Sequence, residues 1–61
     1  MAKKGDKMQK GDRVNVWDFI ESKWCENCGE VVHNDGIIIT VRLNCGLHVQ
    51  EEKSYIKVFE E

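Results

Sequence analysis

The sequence predicts an all-β fold, a small five-stranded barrel. The longest apolar run, residues 37–43, is rich in β-branched side chains, which favour a strand over a helix. Residues 13–17, 47–50 and 56–60 alternate polar and apolar side chains, as half-buried strands do. Asp35-Gly36 lies between two apolar runs and predicts a hairpin turn. Five short strands can bury a single core by closing into a barrel, which also removes exposed edges.

The expected elements follow one another with short connections. In chain order they are a strand at 13–17, an extended polar loop at 18–27 and a hairpin at 29–46 that turns at 34–36. A strand at 47–50, a turn at 51–54 and a last strand at 56–60 follow. Ser54 can cap one helical turn through Tyr55.

The predicted core consists of the apolar positions that share the inward phase of these strands. They are Val14, Val16, Val31 or Val32, Ile37, Ile39, Val41, Leu43, Val49, Ile56 and Val58. The choice between Val31 and Val32 depends on the register of the hairpin, since a slip of one residue reverses the faces. Ile38 is expected on the opposite face.

Length and composition describe one small domain. Of the 61 residues, 33% are charged and 41% are hydrophobic. A chain of this size buries only about 60% of its unfolded surface, so a metal, a disulfide or a partner often supports it. The sequence lacks the apolar run of about 18 residues that would span a membrane, and its start lacks the apolar segment of a secretory signal. We therefore expect a cytoplasmic protein without a membrane segment.

The first residues differ from the rest in charge. Residues 1–13 contain five basic and two acidic side chains, whereas residues 14–61 contain four basic and nine acidic ones. Residues 1–10 show no periodicity and predict a flexible, disordered basic arm before a barrel domain at residues 11–61. Such an arm most often serves solubility, and it can also contact nucleic acid. The candidates for that contact are Lys3, Lys4, Lys7, Lys10 and Arg13.

Two pairs of potential metal ligands occur at matching spacing, Cys25-x-x-Cys28 and Cys45-x-x-His48. Zinc prefers four such ligands at tetrahedral corners, and two intervening residues let one turn present both members of a pair. A hairpin turning at Asp35-Gly36 would place Cys28 opposite residues 43–45, so the two pairs would meet. The spacing resembles the two knuckles of a zinc ribbon with one histidine in place of a cysteine. The sequence thus predicts a structural zinc ion, with four protein ligands and no open position.

Other interpretations of these residues remain open. The cysteines can be small half-buried hydrophobes, free thiols or a local disulfide formed on oxidation, and an odd number of them fits a disulfide framework poorly. His48 can face solvent on a strand, and His33 lies at the far end of the hairpin. No HExxH motif, Ser/His/Asp set, P-loop or glycine-rich dinucleotide turn is present. We therefore expect a protein that is not an enzyme.

The aromatic side chains are the second candidate site. Trp17 and Phe59 are out of phase with the apolar residues of their strands, and Phe19 and Trp24 lie in the expected loop. Exposed aromatic residues often anchor binding partners. One interpretation is a binding groove formed by Trp17, Phe19, Trp24 and Tyr55. The other is that some of these rings fold back and close an open end of the barrel.

The stretches KGDRVNVWD, GEVVHNDGIIITVRL and LHVQEEKSYIKVF together resemble a small SH3-like barrel of the KOW or Tudor kind. The shared features are Gly-Asp before an alternating first strand, a long first loop, an apolar third strand and a short turn before the last strand. The resemblance covers residues 10–60. It implies a binding module that grips a peptide, a modified side chain or RNA with aromatic residues beside its first loops.

Two functions follow from these features. The first is a non-catalytic interaction module, an adaptor or a phage-type inhibitor, that docks on a protein partner through aromatic and acidic surface. The second is a KOW-like barrel that binds nucleic acid through the basic arm and stacked aromatic rings. The acidic body favours the first function. A homodimer through an edge strand, with Ile38 and Phe59 supplying apolar contact, is a further expectation.

Overall fold

The structure, a computed structural model, describes residues 8–60. Five antiparallel strands form one sheet: β1 Arg13–Asp18, β2 Lys23–Asn34, β3 Ile38–Leu43, β4 His48–Glu52 and β5 Ile56–Val58. The only helical segment in the described part of the chain is the 3-10 turn Lys53–Tyr55. The all-β prediction is confirmed. The strand order β4-β3-β2-β1-β5 leaves β4 and β5 as open edges, so the sheet does not close into the expected barrel.

The prediction of an extended loop at residues 18–27 is wrong. Residues 19–22 make a tight turn, and the rest of the segment is the first half of β2, paired with β1. The Asp18 carboxylate accepts hydrogen bonds from the backbone N–H groups of Ile20 at 2.9 Å and Glu21 at 3.2 Å, which stabilises the turn. The segment lacks strict polar and apolar alternation, so the pattern used for the other strands did not identify it.

Strand β2 is long because two irregularities bend it. Between the pairs Val14–Gly29 and Val16–Cys25, the three residues 26–28 lie opposite the single residue Asn15. Asn27 has a φ of 51°, and its N–H donates to the Asn15 side-chain oxygen at 2.8 Å. A second register shift follows Val31. Bulges of this kind bend a strand. Strand β2 pairs with β1 between Lys23 and Glu30 and with β3 between Gly29 and Asn34, so residues 29 and 30 pair on both sides.

The hairpin between β2 and β3 forms where the sequence predicts it. The side chain of Asn34 accepts a hydrogen bond from the N–H of Gly36 at 2.7 Å, and the Asp35 carboxylate accepts from Ile37 and Ile38. These backbone donors hold the pKa of Asp35 below its usual range. Ile37 belongs to the turn and is 71% exposed, so its predicted place in the core is wrong.

The core lies on one face of the sheet, and most of its predicted members are there. Its buried residues are Met8, Val14, Val16, Val31, Ile39, Val41 and Ile56. The register points Val31 inward rather than Val32, because Val31 pairs directly with Val41. Cys28, Leu43, Val49 and Val58 are partly buried against this cluster.

Residues that precede residue 11, the expected start of the domain, also contact the sheet. Met8 is 5% exposed within the core, and its carbonyl accepts a hydrogen bond from the Asn34 side chain at 2.6 Å. The N–H of Gly11 donates to Val31, which in turn donates to Asp12. The remainder of the predicted arm, residues 1–7, lies outside the described residues.

The last strands differ from expectation by a few residues. Strand β4 begins at His48 and continues through Glu52, and β5 ends at Val58. The predicted helical turn is present as the 3-10 turn, but Ser54 lies inside it and no side chain caps it. Among residues 8–60, no helix has the length and apolar character needed to cross a membrane.

Candidate functional site

The face of the sheet opposite the core, called here the outer face, carries the aromatic and basic candidates. Cross-strand partners share a face, and successive residues alternate between faces. Trp17 pairs with Trp24, and Asn15 pairs with Lys57. A further row crosses four strands in the order His48, Arg42, Glu30, Arg13.

The two tryptophans are in direct contact. Their ring centroids lie 5.3 Å apart with an interplanar angle of 76°, an edge-to-face arrangement. The ammonium group of Lys57 lies 4.5 Å from the centroid of the Trp24 ring, within the range of a cation–π interaction. Both tryptophans are half-buried. The β1–β2 pairing therefore brings together two residues that were expected on separate segments, a strand and a loop.

The second aromatic pair lies at the β1–β2 turn. Phe19 and Tyr55 contact each other with ring centroids 4.9 Å apart, and they are 56% and 37% exposed. The neighbouring Ile20 is 93% exposed. These three side chains, called here the turn patch, are held by a turn and by the 3-10 segment rather than by the core. Trp17, Phe19, Trp24 and Tyr55 thus form two pairs, both outside the core cluster.

The three cysteines are free thiols, two of them in the first half of β2 and the third, Cys45, in the β3–β4 turn. The N–H of Asn44 donates to the carbonyl of Cys28 at 2.9 Å, and Gly29 pairs with Leu43, so Cys28 lies opposite residues 43–45 as predicted. Burial raises the pKa of the Cys28 thiol to about 11, and a hydrogen bond with Cys25 and the nearby charges of Cys25 and Cys45 act in the same direction. Cys25 and Cys45 are exposed.

The fourth predicted ligand lies on a different strand. His48 is exposed on β4 and pairs with Arg42 on the outer face. Cys28 instead packs against the core cluster. Within residues 8–60, no group of three or more histidine, cysteine, aspartate or glutamate side chains is arranged to hold a metal ion. Zinc binding by Cys25, Cys28, Cys45 and His48 therefore stays a prediction, and it would require these side chains to move closer together.

A polar network surrounds the bulge of β2. Arg13 donates from Nε to the Asn27 side-chain oxygen at 2.7 Å, and from Nη2 to the Asn27 carbonyl at 3.1 Å and to the Asn44 side-chain oxygen at 2.6 Å. Asn44 also donates to the Asn27 carbonyl at 2.9 Å. The network joins β1, the bulge and the β3–β4 turn. Sequence reasoning missed it because its members are distant along the chain.

The basic candidates for nucleic-acid binding are only partly described. Lys3, Lys4 and Lys7 lie outside the described residues. Lys10 is exposed in the turn that precedes β1, and Arg13 is the centre of the polar network. The sequence did not predict that Arg13, Arg42 and Lys57 share the outer face, since this depends on strand register.

Comparisons of the chain with models of known protein families, with curated proteins and with solved structures find no match.

Proposed function

We propose that this chain is a small non-catalytic interaction module that binds a protein partner. The turn patch of Phe19, Ile20 and Tyr55 carries the proposal. Phe19 and Ile20 are both more than half exposed. Large apolar side chains that are grouped on a surface lower solubility, and such patches often mark a site that binds a partner. Aromatic side chains in contact with each other lose little conformational entropy on binding and are frequent anchors of protein interfaces.

The Trp17–Trp24 pair extends this surface. Trp17 is two residues before Phe19 on the same strand and turn, and Tyr55 directly precedes Ile56, the partner of Val16. Both aromatic pairs therefore lie at the same end of β1. In this proposal the half-buried tryptophans form the rigid part of the surface, and the exposed turn patch contacts the partner. The fold in this proposal is an SH3-like barrel left open between β4 and β5, with the two irregularities of β2 supplying its curvature.

The second candidate function is nucleic-acid binding by the outer face. One observation favours it: Lys57 lies over the Trp24 ring on that face, and aromatic rings beside cations can stack bases. Charge opposes it, since residues 8–60 contain nine acidic and six basic side chains. An acidic body repels a polyanion over several ångströms at physiological salt.

Photo-crosslinking tests the proposed function. A benzophenone amino acid replaces Phe19 in one variant and Gln50, on the opposite edge strand β4, in a matched control. We expect position 19 to give one dominant adduct in cells of the source organism that protease removes and nuclease does not. With the partner purified, Phe19→Ala should weaken binding at least about tenfold, as loss of an anchor does.

Two results would count against protein binding. One is the same set of adducts from positions 19 and 50, which would indicate nonspecific contact. The other is a nuclease-sensitive adduct together with oligonucleotide binding that weakens steeply as salt rises, which would establish the second function instead.

A further inference from the structure

The guanidinium group of Arg13 is held in place by neutral oxygen atoms. Its three hydrogen bonds end on the side chain and carbonyl of Asn27 and on the side chain of Asn44. These bonds use Nε and Nη2. Within residues 8–60, Nη1 makes no hydrogen bond and Arg13 makes no ion pair. The side chain is therefore ordered before any ligand arrives, and its charge is not compensated.

Arg42 is the second cation beside this position. Its Nη2 lies 3.4 Å from a carboxylate oxygen of Glu30, a long contact in which the two side chains are 53% and 34% exposed. An exposed pair at this separation is weak. Arg42 can therefore turn to another anion at little cost.

The two arginines line one cleft. Its volume is about 290 Å³, and its other walls are Leu43, Asn44 and Gly46. The β3–β4 turn forms these walls and is held by hydrogen bonds from Leu43 to Leu47 and from Gly46 to Leu43. The cleft has one apolar wall, and its free donors are Nη1 of Arg13 and the guanidinium group of Arg42. Guanidinium donors form strong hydrogen bonds with carboxylate oxygens, so the cleft suits a small planar oxyanion.

We propose that the Arg13–Arg42 cleft binds a carboxylate, supplied by an acidic side chain of the protein partner. The identity of the donor rests on the proposed function. Glu30 lies between the two arginines in the outer-face row, so the three side chains together carry one net positive charge, which a singly charged carboxylate neutralises. The acidic excess of residues 8–60 acts in the same direction.

Titration with small anions tests the cleft without the partner. The Nε–H signals of Arg13 and Arg42 are followed by NMR while N-acetyl-aspartate amide, inorganic phosphate or a short mixed-sequence oligonucleotide is added at constant ionic strength. We expect saturable shifts of both signals with the aspartate probe, in the millimolar range. Phosphate should bind no more tightly than the aspartate probe, because Glu30 offsets one of the two arginine charges and the second phosphate charge has no positive partner.

Three substitutions separate binding from folding. Arg42→Gln leaves the Arg13 network intact and should weaken binding of the aspartate probe about tenfold. Glu30→Gln removes the competing carboxylate and should tighten it about threefold, a gain that misfolding cannot produce. Lys53→Gln removes one positive charge outside the cleft and should leave the affinity unchanged.

Absence of a saturable shift, or equal loss of affinity in Arg42→Gln and Lys53→Gln, would overturn the carboxylate site. Tighter binding of phosphate or oligonucleotide would overturn it in favour of nucleic acid. If the probe binds but crosslinking at position 19 yields no protein, the cleft stands and the proposed function fails. If crosslinking succeeds and the probe does not bind, the proposed function stands and the carboxylate site fails.

Discussion

A Cβ atom at Gly29 would lie 2.6 Å from Cγ1 of Val41 and 2.7 Å from the carbonyl oxygen of Arg42. The residue is buried where β2 pairs with both β1 and β3. Neither neighbour can move freely, because one is in the core and the other is backbone. The role of Gly29 is therefore to allow neighbouring strands to pack closely.

We expect Gly29→Ala to lower the free energy of unfolding by about 2 kcal/mol, the cost of overpacking a core. Urea unfolding measures this value. The double variant with Val41→Ala is the control, since removing Cγ1 of Val41 should reduce the effect of the alanine at position 29. A stability of Gly29→Ala within about 0.5 kcal/mol of the wild type would contradict the packing argument.

The acid sensitivity of the protein should depend on Asp35. Its folded pKa is lowered by hydrogen bonds from the N–H groups of Ile38 and Ile37. The stabilisation of the fold by these hydrogen bonds is therefore complete above about pH 4, the usual pKa of aspartate. It is lost as the pH falls through the pKa that Asp35 has in the folded protein. Asp35→Asn can still accept these bonds but does not titrate, so its urea midpoint should fall less steeply in acid. Identical acid profiles would disprove this role.

At the scale of the elements, β2 is organised by its bulge. Asn27 combines a left-handed backbone conformation with hydrogen bonds to Arg13, and it places residues 26–28 opposite Asn15. Asparagine tolerates this conformation better than most residues. The bulge bends β2 and allows one strand to serve both hairpins.

Two substitutions at position 27 should therefore have unequal effects. Asn27→Ala loses the side-chain hydrogen bond and strains the backbone, and it should lower the free energy of unfolding by about 2 kcal/mol. Asn27→Gly loses the same hydrogen bond without the strain and should lower it by about 1 kcal/mol. Chemical denaturation of both variants measures the difference. Equal losses would show that the backbone conformation contributes nothing.

The hairpins show how far element prediction from this sequence extends. The β2–β3 hairpin was predicted because the side chains of Asn34 and Asp35 form the hydrogen bonds that stabilise the turn, within a few residues of Gly36. The β1–β2 hairpin was missed because residues 23–28 mix polar and apolar side chains without alternation. Pairing with β1 makes that segment a strand, and a partner strand is not visible in a local pattern.

For the whole molecule, zinc binding by the four predicted ligands stays a prediction. The backbone brings Cys28 opposite residues 43–45, but His48 faces outward beside Arg42. If the four predicted residues bind zinc, purified protein should contain one ion per chain, and a chelator should lower its thermal midpoint. Cys45→Ser should lose the metal, whereas Ser54→Ala should retain it. Metal-free protein with a midpoint unaffected by chelator would contradict the prediction.

The sequence by itself determined the all-β class, the inward phase of β1 and β3, and the hairpin at Asp35-Gly36. These features depend on side-chain alternation and on turn chemistry that acts over a few residues. The tertiary structure alone decided that Trp17 meets Trp24, that Val31 rather than Val32 enters the core, and that Arg13 and Arg42 share a cleft. Register and bulges control such contacts, and both depend on how distant strands pair.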